Sequence, residues 1–206
     1  MEIRRYVTSW VSTNTYLCWD EETHEGFIVD PGDYTKKLSD DVNENGVNLK
    51  YILLTHAHGD HIGGVEQFKK EFPQVKVCVH RDDVEMLGDY RFNESMGCVG
   101  RVVEIVPDII LNGASELKVG NLDLKFIHTP GHTMGGICIL ADKYCFSGDT
   151  IFRYSVGRTD FYGGSWEELL KSIKNKIFAL PDDTILLPGH MEYSTVGDEK
   201  KGNPFV

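Results

Sequence analysis

The sequence predicts a mixed α/β fold in which helical and sheet layers pack on one another. Three observations carry that expectation. Short apolar runs of strand character alternate with longer stretches of helical period. Two stretches read strand–helix–strand. No Pro-, Gly- or Ser-rich linker divides the 206 residues, so one domain spanning 1–206 is expected. A chain of this size buries about 70% of the surface its unfolded form exposes.

The elements follow in order. Asn14–Trp19 and Gly26–Asp30 read as short strands. Asp30-Pro31-Gly32-Asp33 is a turn, with Asp33 placed to cap a helix over Tyr34–Asn45 that stops at Gly46. Tyr51–Thr55 is a compact strand. Ile62–Phe72 is a helix ended by Pro73, and Gly63 and Gly64 let its start approach its surroundings closely. Val75–Val79 is a strand and Arg81–Leu87 a short helix. Gly88–Arg101 lacks a period and reads as a long loop, a feature that often carries function. Strands follow at Ser115–Val119, Leu122–His128, Gly136–Ala141 and Tyr144–Ser147. Trp166–Leu180 is a helix with Ser165 as N-cap and Glu168 at the capping-box position. Thr184–Leu187 is the last strand.

Composition narrows the function classes. The formal charge of −11 argues against nucleic-acid backbones and anionic membrane surfaces as partners. No apolar run approaches the ~20 residues that cross a bilayer. No secretory signal is readable, so a cytoplasmic location is expected. The five cysteines are odd in number and show no CxxC spacing. Four sit in apolar runs, which predicts buried reduced thiols.

The chemistry clusters where strands end. Thr55-His56-Ala57-His58-Gly59-Asp60-His61 follows YILL, and His128-Thr129-Pro130-Gly131-His132 follows LKFI. Ser147-Gly148-Asp149-Thr150 follows KYCF, and Pro188-Gly189-His190 follows TILL. Carboxyl ends of neighbouring strands converge on one edge of a sheet, where sites in open α/β sheets lie. Neutral imidazole and carboxylate are transition-metal ligands. His56 and His58 can point to one side of an extended backbone, while Asp60 and His61 face a neighbouring point. One metal cannot easily take four ligands from so short a segment, and two can. A His/Asp set without thiolate suits a catalytic site with open positions. The other histidines read differently: His24 as surface, His80 as structural or surface, and His128 as structural or supporting a ligand.

THAHGDHIGG resembles the HxHxDH signature of the metallo-β-lactamase fold superfamily. TPGHTMGG, FSGDTIF and LPGH match its later motifs in order, over essentially the whole chain. Phe152–Ser165, FRYSVGRTDFYGGS, and the tail TVGDEKKGNPF resemble short glyoxalase II-like hydrolases, and the GRTD loop also resembles that of persulfide dioxygenases. The resemblance implies a four-layer αββα sandwich. It assigns His56, His58 and His132 to one metal and Asp60, His61 and His190 to a second, with Asp149 bridging. It implies two divalent ions, zinc first, with iron or manganese as alternatives. It implies hydrolysis of a small thioester such as S-lactoylglutathione by a metal-bound hydroxide that Asp60 helps orient. An iron persulfide dioxygenase and a lactonase or ester hydrolase are the rival readings.

The expected partner is a small-molecule thioester, with no nucleic acid and no membrane. The C-terminal helical addition of full-length glyoxalase II enzymes is not expected, which weakens the case for glutathione. Met191 stands where short relatives commonly carry glycine. Arg158 and Asp160 are expected to pair, with Arg158 or Arg153 as the alternative partner of a substrate carboxylate. Tyr90, Phe92, Tyr154 and Tyr162 are expected mainly to pack.

Overall fold

In the computed structural model, which describes residues 1–112 and 115–206, the strands form two six-stranded sheets. The first contains β1 (Glu2–Thr8), β2 (Thr13–Trp19), β3 (Glu25–Val29), β4 (Asn48–Leu53), β5 (Lys76–His80) and β6 (Ile109–Leu111), in that spatial order. β1 to β3 run antiparallel and β3 to β6 parallel. The parallel steps are crossed by α1 (Lys36–Glu44), by α2 (Gly59–Ile62) with α3 (Val65–Glu71), and by α4 (Val84–Leu87), α5 (Tyr90–Asn93) and α6 (Ser95–Cys98).

The second sheet holds β7 (Glu116–Val119), β8 (Leu122–His128), β9 (Ile137–Ala141), β10 (Tyr144–Gly148), β13 (Ile185–Pro188) and β14 (Ser194–Thr195), and a small hairpin pairs β11 (Ile151–Phe152) with β12 (Ser155–Val156). α7 (Trp166–Ser172) leads from the hairpin towards β13, and α8 (Val196–Gly202) closes the chain.

Strand alternation builds the layers. In β2, Tyr16 and Cys18 enter the core between the sheets with Phe27, Leu53, Phe126, Ile139 and Phe146. Their neighbour Leu17 faces the other way, packing with Ile28 and Ile52 against Leu38 and Val42 of α1 and Phe68 of α3. On the far side, Cys138, Cys145 and Leu186 pack under Leu169, Ile173, Ile177 and Val196. The result is helix, sheet, sheet, helix, the αββα sandwich. Cys18, Cys78, Cys138 and Cys145 are buried, and all five cysteines are free thiols. No helix among the described residues is long and apolar enough to cross a membrane.

Several sequence expectations are corrected. The sequence reading places its first strand at Asn14, yet β1 precedes it and pairs with β2 along its whole length. The first helix is capped by Thr35, whose hydroxyl accepts the Leu38 N–H, while Asp33 accepts the Tyr34 N–H beside it. The Ile62–Phe72 helix is two helices broken at Gly63-Gly64. A Cβ on Gly63 would lie 2.3 Å from the Gly32 carbonyl oxygen, so the break lets the DPG turn seat against the chain. The Gly88–Arg101 loop contains α5 and α6. The Trp166–Leu180 helix is regular only to Ser172 and widens into a π-turn at Ile173–Ile177. Ser165 caps it, but Glu168 returns no bond and pairs with Lys171.

Candidate metal centre

The four polar strand ends meet at one edge of the sandwich. β4 leads into Thr55–His61, β8 into the turn at His132, β10 into Asp149, and β13 into His190. Gly189 lets the last of these close in: a Cβ there would lie 2.2 Å from Asp149 Oδ1 and 2.6 Å from the His61 ring.

Two trios of ligand-type side chains stand side by side. In the first, His132 Nε2 lies 3.2 Å from His56 Nε2 and 2.9 Å from His58 Nδ1. In the second, Asp60 Oδ2 lies 3.5 Å from His61 Nε2 and 3.2 Å from His190 Nε2. Asp149 touches both: its Oδ2 is 3.5 Å from His132 Nε2 and 3.6 Å from His190 Nε2, and its Oδ1 is 3.4 Å from His61 Nε2. The fold thus brings all seven sequence-predicted residues together.

Three further residues were not singled out from sequence as supports. Asp30 receives His61 Nδ1 at 2.9 Å, and Thr55 lies 3.1 Å from His56 Nδ1. Asp83 holds the loops themselves. The signal for Asp83 was its place just past the carboxyl end of β5, on the same edge as the histidines. Elsewhere, the Arg158 carbonyl accepts from His132 Nδ1 at 2.7 Å, the Ser12 carbonyl faces His190 Nδ1 at 3.3 Å, and the Thr13 hydroxyl donates to Asp60 Oδ2 at 3.0 Å.

The electrostatics suit a cation. Burial first, and neighbouring imidazoles second, hold His56 and His58 well below the usual histidine range, and burial also lowers His132 despite the pull of Asp149. They offer neutral lone pairs. At His61 burial works the same way, but Asp60, Asp149 and Asp30 overcome it and push the imidazole up to about 10. Burial opposes ionisation of Asp60, yet His61 and His190 hold it well below the carboxylate range. The ion pairs of Asp30, Asp60 and Asp149 among the described residues are with histidine alone. His61 Nε2 and Asp149 Oδ1 are buried without a hydrogen bond. Ligands ~2.0–2.1 Å from a tetrahedral ion stand about 3.4 Å from one another, close to the 2.9–3.6 Å spacings quoted above. The donor set and its spacing fit metal ions.

Around the mouth, Arg158 forms a two-pronged pair with Asp160 at 2.7 and 2.6 Å and lies over the Phe161 ring at 3.9 Å. Phe161 meets His58 edge-on, and Phe92 stacks on Tyr162 at 4.2 Å. Arg153 lies by Tyr154, and Tyr90 is exposed. Met191 is exposed and sits at φ 68°, the left-handed region that favours glycine. His24 is exposed. His80 is buried and stacks on His128, whose Nε2 lies 2.9 Å from the Met134 carbonyl in the TPGHTM loop.

The profile of the metallo-beta-lactamase superfamily matches residues 8–190. The hydroxyacylglutathione hydrolase GloC of Haemophilus influenzae is 35% identical over 196 residues, 94% of this chain and 92% of its own. The crystal structure of the BLEG-1 B3 metallo-beta-lactamase aligns with a TM-score of 0.92 at 35% identity, over 99% of each chain. That of TTHA1623 in a di-iron-bound form aligns with a TM-score of 0.85 at 29% identity, over 98% of this chain and 100% of its own. A match that spans every strand-end motif, joined to a shared sandwich, makes this chain a member of the metallo-beta-lactamase superfamily of metal-binding hydrolases.

Proposed function

We propose that the chain hydrolyses a small thioester in the manner of glyoxalase II, with two divalent metal ions held by His56, His58 and His132 and by Asp60, His61 and His190. The observation that carries the reading is the Asp149 carboxylate, which lies within 3.6 Å of ligand nitrogens in both trios. A mononuclear iron dioxygenase would use two His and one Asp, and the presence of Asp60, His61 and His190 beside such a set favours the hydrolase. Likeness to a hydroxyacylglutathione hydrolase favours an acyl-thiol substrate. The di-iron neighbour keeps iron beside zinc as a candidate.

When bound, such ions lower the pKa of water from ~15.7 towards 7 and polarise a carbonyl. The protein's own part is orientation. Thr13 fixes Asp60 Oδ2, the Arg158 carbonyl fixes the His132 tautomer, and Asp30 does so for His61. Phe161 and Phe152 make T-shaped ring contacts with His58 and His190, which limit how those rings turn. No protein nucleophile would then be required, and the thiolate would be the leaving group.

The test pairs elemental analysis of metal-replete protein with a panel of S-lactoylglutathione, neutral acyl thioesters, lactones and glutathione persulfide. Two ions per chain and thiol release without oxygen uptake are expected. One iron per chain with oxygen consumption on the persulfide would sink the proposal.

A further inference from the structure

We infer that Asp83 is a positioning residue for the His56–His58–His132 trio, a role that rests on the metal centre proposed above. Asp83 is wholly buried on the short turn Arg81–Asp83 that follows β5. Its Oδ2 accepts the Ala57 N–H at 3.1 Å and the Thr133 hydroxyl at 2.9 Å, and its Oδ1 accepts the Gly135 N–H at 2.6 Å. Ala57 is the residue between His56 and His58, and Thr133 follows His132. The first loop leaves the first sheet and the second leaves the second sheet. One carboxylate therefore ties together the two loops whose histidines must share an ion.

Two other observations point the same way. A Cβ on Gly135 would lie 2.5 Å from Asp83 N and 2.7 Å from its Cγ, so the TPGHTMGG loop is shaped to close on this carboxyl. His56, His132, His61 and His190 each have a neighbour on their rear nitrogen, but His58 Nε2 is buried with none. With no hydrogen bond behind it, the His58 ring depends on its ring contacts and on its backbone, and the Ala57 N–H bond to Asp83 anchors that backbone. Three donors converge on the carboxyl and, among the described residues, no acceptor does. Only an acceptor-only group satisfies them all, whereas asparagine would turn an N–H against an N–H.

The test uses cobalt-loaded full-length protein, read by visible absorption and by competition with a chromophoric chelator. Asp83→Asn and Gly135→Ala should each weaken the ion of the histidine trio by roughly 10–100-fold and shift its absorption band. The ion of Asp60, His61 and His190 should be much less affected, and kcat should fall while KM stays within about two-fold. Thr133→Val removes one bond of three without touching the carboxyl. It should move the same readouts less, and it decides the matter if the other variants do not fold. Unchanged cobalt affinity and spectrum with only a lowered melting temperature would overturn the inference. A parent protein that binds cobalt at both trios yet cleaves no thioester would overturn the proposed function and leave this test standing.

Discussion

Asp30 holds His61 through a 2.9 Å contact between Oδ2 and Nδ1, and the same oxygen accepts the Thr55 hydroxyl at 2.6 Å. The Thr55 N–H donates to its other oxygen at 2.8 Å. Asp30 reaches this position at φ 48°, a conformation that costs most L-residues about 1–2 kcal/mol. The strain at the DPG turn is offset by three bonds, one that orients His61 and two that hold Thr55 beside His56. Asp30→Asn should therefore weaken metal at the Asp60–His61–His190 trio by roughly 10–100-fold, as chelator competition would show. Undiminished affinity and normal turnover would refute the link.

Asp149 presents its oxygens to nitrogens of both trios at 3.4–3.6 Å. Asp149→Ala should lower kcat/KM more than alanine at any of His56, His58, His61, His132 or His190. Bound metal, measured on each variant beside the kinetics, should fall furthest in Asp149→Ala. A variant keeping both ions and near-parent turnover would show that the carboxylate does not bridge.

The candidate ligands were legible because each lies at or within a few residues of the end of an apolar strand, and strand ends of one sheet edge put His56 and His190 together. Their supports were less so. Asp30 reads as a turn residue until His61 is seen behind it, and Asp83 reads as part of the Arg81–Leu87 helix until Ala57 and Gly135 close on it. Elements held by tertiary contacts were also hidden. β1 carries charged Arg4 and Arg5, which obscure a strand that pairs with β2. The Ile62–Phe72 pattern is helical, yet packing against Gly32 breaks it at Gly63.

His80 should make the fold sensitive to acid. Burial, and the charge of His128 stacked 4.1 Å away, push His80 down to about 4. The unfolded value is ~6.5, so the fold favours the neutral ring. Its contribution is present above about pH 6.5 and is lost as pH falls through about 4, because the unfolded chain takes up the proton first. Between pH 7 and 4, metal-free His80→Gln protein should lose less melting temperature than the parent. Parallel curves would remove His80 as the titrating group.

Arg158→Gln should leave the metal centre standing, since His132 leans on the Arg158 carbonyl and not on its side chain. The pair with Asp160 is exposed at both ends, where solvent screens it, and it contributes little. Turnover of a neutral and a carboxylate-bearing thioester should change by the same factor. A KM rise confined to the carboxylate substrate would instead make Arg158 a substrate contact.

Met191 follows the His190 ligand position at φ 68°, with its carbonyl pinned by the Asn14 side-chain amide at 2.8 Å. The residue is 55% exposed, and the bond from Asn14 holds its backbone in place. Left-handed geometry costs an L-residue about 1–2 kcal/mol, while glycine adds about 0.4–1 kcal/mol of unfolded-state entropy. Met191→Gly should thus stabilise by about 1 kcal/mol, a rise of roughly 2–4 °C in melting temperature at this size. If the thioether also narrows the approach to the metals, the glycine variant should gain turnover on bulky acyl thioesters and not on small ones. A lower melting temperature would mean that the side chain packs more favourably than its exposure implies.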